Sequence, residues 1–247
     1  MHGRWGLGAL ELGAPLADLV IDKIGQTQVS TPVVDDELRT PAILPALLPT
    51  GELTRRQCLD RAVTVIRYGA EADRFSLLDC AGAVADGALD RLSVLARPPE
   101  IARPDLPLPD EPTGSRGEWV DGVKMVPPRV LWLVSELARA FPHRALYIYS
   151  GYRPGGGRGH RGLHGDARAL DLAIHGIDTR RLYEACRKLP DTGCGYYPHH
   201  PFVHVDVRRP GLVRAAWIDA SAPGEPSVYV RSWPGVSDAD PDTVIAP

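Results

Sequence analysis

Two short stretches of this chain alternate strictly between bulky apolar residues and other residues, and they constrain its fold more than any other feature. In "ARALDLAI", residues 167–174, Leu170, Leu172 and Ile174 point one way while Ala169, Asp171 and Ala173 point the other. In "FVHVDV", residues 202–207, Val203, Val205 and Val207 share one face, and Phe202, His204 and Asp206 share the opposite one. A period of two predicts strands with one face in a core. It also places His204 and Asp206 side by side, and leaves Asp171 on a face lined by small residues.

The surrounding sequence predicts a helix over 127–141, a strand over 144–150, a helix over 178–189 with Asp178 as its N-cap, and a strand over 201–209. This order predicts an α+β fold with a small, mainly antiparallel sheet flanked by helices. Upstream, "TGELTRRQCLDRAVTVIRYG" reads as a helix over 50–69, with Thr54 and Gln57 as a capping box and Gly69 as a stop. Residues 86–97 read as a second helix. The proline-rich run 98–117 then reads as a linker or extended arm. The expected organisation is therefore a mostly helical and irregular N-terminal region over 1–118, a compact domain over 119–220, and a tail over 221–247.

The formal net charge of -3 gives no basic field for nucleic acid. No run of apolar residues approaches the roughly 18 needed to span a membrane, and the N-terminus lacks the basic, apolar and small-residue order of a signal peptide. Of the four cysteines, Cys186 and Cys194 flank a turn. A disulfide there, with Cys58–Cys80 as the complementary pair, stands against four buried thiols.

The chemistry-bearing residues cluster in "SGYRPGGGRGHRGLHGDARALD", which starts at Ser150. A phosphate loop is a poor reading, because the Gly-Lys-Ser/Thr ending is absent and no apolar helix follows. A metal site is the better one. His164 and Asp171 supply an imidazole and a carboxylate, and His204 adds a second imidazole. Such a set suits catalytic Zn²⁺ with its fourth position left for water. The competing reading pairs Asp171 with a nearby arginine. Arg158, Arg161 and Arg168 read either as a rim that attracts carboxylates or as solvated side chains. Tyr196 and Tyr197 read as cleft walls or as packing beneath it, and Trp217 as a core residue.

In order, "SGYRP", "HGDARALD", "GCGYYP" and "FVHVDV" resemble motifs of the LAS-type zinc peptidases of peptidoglycan, most closely the murein endopeptidase K-like and D-Ala-D-Ala peptidase-related branches. The resemblance covers residues 119–220 and implies a hedgehog/D-Ala-D-Ala peptidase-like fold. It implies zinc held by His164, Asp171 and His204, with Arg153 supporting charge on a substrate carbonyl oxygen. Gly162 stands where the family has serine, and Ala167 where it has glycine. The family's general base falls on Pro201 or Phe202, and neither can take a proton. Asp206 is then the preferred base or the partner that orients His204, with His199 and His200 as other candidates. The implied activity is hydrolysis of peptide bonds in peptidoglycan stems or cross-links, in the periplasm or cell envelope. The alternative is an inactive peptidoglycan-binding module of the same fold.

Overall fold

The computed structural model describes residues 62–67, 69, 71–154, 162–209, 211 and 215–236. They form one eight-stranded sheet with three α-helices. In chain order these are β1 (Ala62–Arg67), β2 (Glu71–Ser76), α1 (Ala88–Leu95), α2 (Pro128–Ala140), β3 (Leu146–Ser150), β4 (Ala169–Ile174), α3 (Thr179–Cys186), β5 (Thr192–Tyr196), β6 (Val203–Val207), β7 (Ala215–Asp219) and β8 (Tyr229–Val230). The strand order is β2-β1-β3-β4-β6-β5-β7-β8.

The sheet is larger and more mixed than expected. Neighbouring strands pair antiparallel except β1 with β3 and β5 with β7, which are parallel. Strands β1 and β3 are separated in sequence by β2 and two helices, and β5 and β7 by β6, so strand periodicity alone does not reveal either pairing. The described end of the helix expected over 50–69 is strand β1. Its sequence "AVTVIR" is rich in β-branched residues, which favour a pleated, packed surface over a helix. Thr54 and Gln57 lie outside the described residues. Strands β1 and β2, upstream of the proline-rich run, belong to the same sheet, because β1 pairs with β3. The expected C-terminal tail also contributes, since β8 pairs with β7.

The other three expected helices form where the sequence places them. Pro128 opens the first turn of α2, where its missing N–H costs nothing. The Asp178 side chain caps α3 by accepting from the Arg180 backbone N–H at 2.8 Å. Leu92, Leu95, Leu131, Val134, Leu137 and Leu182 from these helices share one buried core with Leu170, Leu172, Val203, Val205 and Val207 of the sheet. The valine and leucine stripes thus face the helices, and the opposite face of β4 and β6 carries Asp171, His204 and Asp206.

Cys186 at the end of α3 is bonded to Cys194 in the middle of β5. Cys80 is disulfide-bonded as well; its expected partner, Cys58, lies outside the described residues. Closing the short Cys186–Cys194 loop restricts the unfolded chain by about 2–3 kcal/mol. Replacing both residues by serine is expected to lower unfolding stability by that amount, read as a lower denaturant midpoint at unchanged slope. An unchanged midpoint would show that packing alone holds α3 on β5.

Candidate metal centre

Adjacent antiparallel strands set the first two side chains of the site. Asp171 on β4 lies directly opposite His204 on β6, so both project from the same face. The third, His164, comes from the turn over 163–167 before β4. Its carbonyl accepts from the Arg153 and Ala167 backbone N–H groups, which fixes the turn against the end of β3. Ala167 closes this turn with φ at 53°, in the left-handed region. That conformation explains why the resembling family has glycine there, and an alanine adopts it at modest cost.

The three side chains converge. His164 Nε2 is 3.1 Å from His204 Nδ1, which is 3.0 Å from Asp171 Oδ1. The third side of the triangle, His164 Nε2 to Asp171 Oδ1, is 3.3 Å. Nitrogen and oxygen donors about 2.0–2.1 Å from a tetrahedral zinc stand about 3.3 Å from one another, so the triangle has the right size.

Outer hydrogen bonds aim the donor atoms inward. His164 Nδ1 is 2.6 Å from the Gly151 carbonyl oxygen. A carbonyl only accepts, so Nδ1 carries the proton and Nε2 presents its lone pair to the triangle. His204 is turned the other way round. Its Nε2 faces Asp206 Oδ2 at 3.3 Å, which leaves Nδ1 as the inward donor atom. Arg153 donates through Nη2 to Asp171 Oδ2 at 3.0 Å, and Oδ1 remains for the triangle. The arginine pairing and the metal reading of Asp171 are therefore compatible, because each uses a different oxygen. Donor types, spacing and outer partners all fit a zinc ion.

Electrostatics follow this arrangement. Burial opposes ionisation of Asp171, but hydrogen bonds from His164 and His204, with their charge, hold its carboxyl well below the usual range. Burial alone would lower the His204 pKa; Asp171 and Asp206 outweigh it and raise it to about 9.

Asp206 is fully buried. Besides His204, it accepts two bonds from Arg208, at 3.0 Å from Nε and 3.2 Å from Nη2. It lies behind His204 rather than beside the triangle. His199 packs against the Trp233 ring, and His200 against Phe202 and Tyr197. Arg168 donates to the Val207 carbonyl at 2.7 Å and so ties β4 to β6. Arg158 and Arg161 lie outside the described residues.

The glycines of "GCGYYP" are functional in a way the sequence reading missed. Gly193 lies opposite Asp206, and a Cβ there would collide with the Asp206 carboxylate. Gly195 lies opposite His204 on one side and Trp217 on the other; its missing side chain makes room for the Trp217 indole. Trp217 is buried, as expected of a core residue, and its ring lies tilted with its centroid 5.1 Å from that of the His204 ring. Its indole N–H donates to the Tyr197 hydroxyl at 3.1 Å. Tyr196, on the other face, packs against Tyr183 in the core. The available signal was the alternation of glycines in register with the His-x-Asp strand.

The family model described as Peptidase_M15_2, peptidoglycan L,D-endopeptidase MepK, matches residues 144–217. That span contains β3 to β6 and all three triangle residues. No curated protein matches the chain.

If Asp206 orients His204, Asp206→Asn is expected to weaken zinc binding about 10–100-fold. Competition with a chromophoric zinc chelator reads this directly, with far-UV circular dichroism to check the fold. Unchanged zinc affinity would remove Asp206 from that role.

Proposed function

With residues 144–217 matching the M15-type peptidoglycan peptidases, we propose that this protein is a zinc-dependent peptidase that hydrolyses peptide bonds in peptidoglycan stems or cross-links. The observation that carries this reading is the triangle of His164 Nε2, His204 Nδ1 and Asp171 Oδ1, with each donor turned inward by an outer partner. Zinc held there supplies Lewis acidity, polarising a carbonyl and acidifying water.

The chain's own residues do the remaining work. His164, Asp171 and His204 hold the cation on a face that keeps space for a substrate. Arg153 is more than half exposed while one of its nitrogens holds Asp171. In this reading its other N–H groups bind the carbonyl oxygen of the scissile bond as negative charge develops there. Asp206 keeps the Nε2 proton of His204 in place and, through Arg208, is neutralised within the fold. It acts as a positioning residue, one of the two roles the sequence leaves open to it. Burial and three donors take it out of proton exchange with a substrate.

The substrate class sets the location. Peptidoglycan lies outside the cytoplasmic membrane, in the periplasm or cell envelope, and the disulfides suit an oxidising compartment. No helix among the described residues is long and apolar enough to cross a membrane.

Purified protein loaded with zinc and incubated with cross-linked sacculi is expected to release soluble muropeptides, resolved by chromatography and mass spectrometry. Chelation should stop the release and added zinc restore it. His164→Ala is expected to reduce the rate by at least about 10³-fold, because it removes both a ligand and the tautomer lock. Zinc binding with sacculus binding but no hydrolysis would overturn the enzyme reading in favour of a peptidoglycan-binding module.

A further inference from the structure

Beside the metal triangle lies a cavity of about 350 Å³ that the family match does not account for. Its walls include Ser150, Gly151 and Arg153 from the end of β3, but also Arg67 at the end of β1 and Arg97 and Glu100 from the segment after α1. The last three lie outside residues 144–217. The parallel strands β1 and β3 both end here, so their carboxyl ends open into one crevice, a common location for ligand sites in sheets. The cavity is contiguous with the catalytic residues. Gly151 holds His164, and Arg153 holds Asp171.

The cavity carries surplus positive charge. Arg67 and Arg97 are 8% and 6% exposed, so both are largely buried. They share one carboxylate, Glu71, which lies 2.5 Å from Arg97 and 3.9 Å from Arg67, and which Arg103 also engages at 2.7 Å. Among the described residues that line the cavity, Glu100 is the one acidic residue, and it is exposed. Burial, and then repulsion from Arg97, lowers the pKa of Arg67. Two buried cations that share one close carboxylate, beside a space sized for part of a peptide, are only partly compensated. Their bonds to the Pro98 and Ile101 carbonyls pin the 98–101 segment as the far wall but neutralise no charge.

We propose that this cavity is a specificity subsite that binds a free carboxylate of the substrate peptide through Arg67 and Arg97. The proposal rests on the peptidase reading for its substrate class. It goes beyond it by assigning recognition to residues outside the family-matching segment. A peptide with its scissile carbonyl at Arg153 reaches the subsite by continuing along the end of β3. The arginines offer charge-assisted N–H donors, and amidation of the carboxylate removes the charge they recognise.

The test measures binding, so it does not depend on turnover. The probes are a synthetic peptidoglycan stem tetrapeptide ending in a free carboxylate and the same peptide as its C-terminal amide. Both are titrated calorimetrically into zinc-loaded wild-type protein at low ionic strength. The free acid is expected to bind about tenfold more tightly than the amide. Arg67→Gln should bring the ratio towards one, and Glu100→Gln, which removes a negative wall charge, should raise it. Thermal unfolding checks that each variant is folded. Equal affinity of wild type for both probes, or a ratio unchanged in both folded variants, overturns the subsite and leaves the arginines as a structural clamp. Loss of the sacculus activity with the tenfold ratio intact would instead count against the peptidase reading alone.

Discussion

The pairing of Asp171 with His204 across β4 and β6 is the constraint on which the site depends. Side chains alternate along a strand, so a slip of β6 by one residue would send His204 to the helical side and its valines to the open side. Val203, Val205 and Val207 are almost wholly buried, as are Leu170 and Leu172 opposite. Each such side chain contributes about 1.5–3 kcal/mol by leaving water. Flipping β6 alone would forfeit several kilocalories per mole, against a total stability of about 5–15 kcal/mol for an ordinary domain. The apolar stripe therefore secures the geometry of the polar one.

That is why so much of the site could be read from the sequence. Alternation in "ALDLAI" and "FVHVDV" identified the strands, their inner faces and three of the residues around the triangle without any structure. The helices over 86–97, 127–141 and 178–189 were also legible, the second from its opening prolines and apolar face and the third from its Asp178 cap. Legibility failed where distant neighbours decide the outcome. "AVTVIR" has apolar residues compatible with either period, and only its pairing with β3 settles the matter. "TGCGY" has too many glycines to read as a strand, yet its glycines are required by Asp206 and Trp217, which arrive from β6 and β7. The roles of Asp206 divided for the same reason. Its place on the polar face was visible, but its engagement by Arg208 and the back of His204 was not.

The buried charges of this domain are organised as chains in which each group satisfies the next. Arg208 neutralises Asp206, Asp206 orients His204, and His204 meets Asp171, whose other oxygen is held by Arg153. A carboxylate in this series has partners on both sides, so it can be buried without losing its charge. Around Glu71 the balance is different, with more guanidinium than carboxylate. The two clusters meet at the end of β3, one satisfied internally and one open to a ligand.

The tautomer of His164 reaches further back in the chain than the conserved-looking motifs do. The pairing of β3 with β4 shifts register between Ile148 and Ser150, just before the Gly151 carbonyl that meets His164. Gly151 follows, packed so closely on Ala96 that a side chain would strike the Ala96 carbonyl, which also accepts from the Tyr152 N–H at 2.7 Å. The end of α1 therefore sets where the Gly151 oxygen points, and through it which nitrogen His164 shows to a cation. The smallest working unit of this chain is accordingly not the segment that carries the motifs. A fragment starting after the proline-rich run would keep every ligand and lose the wall that aims one of them.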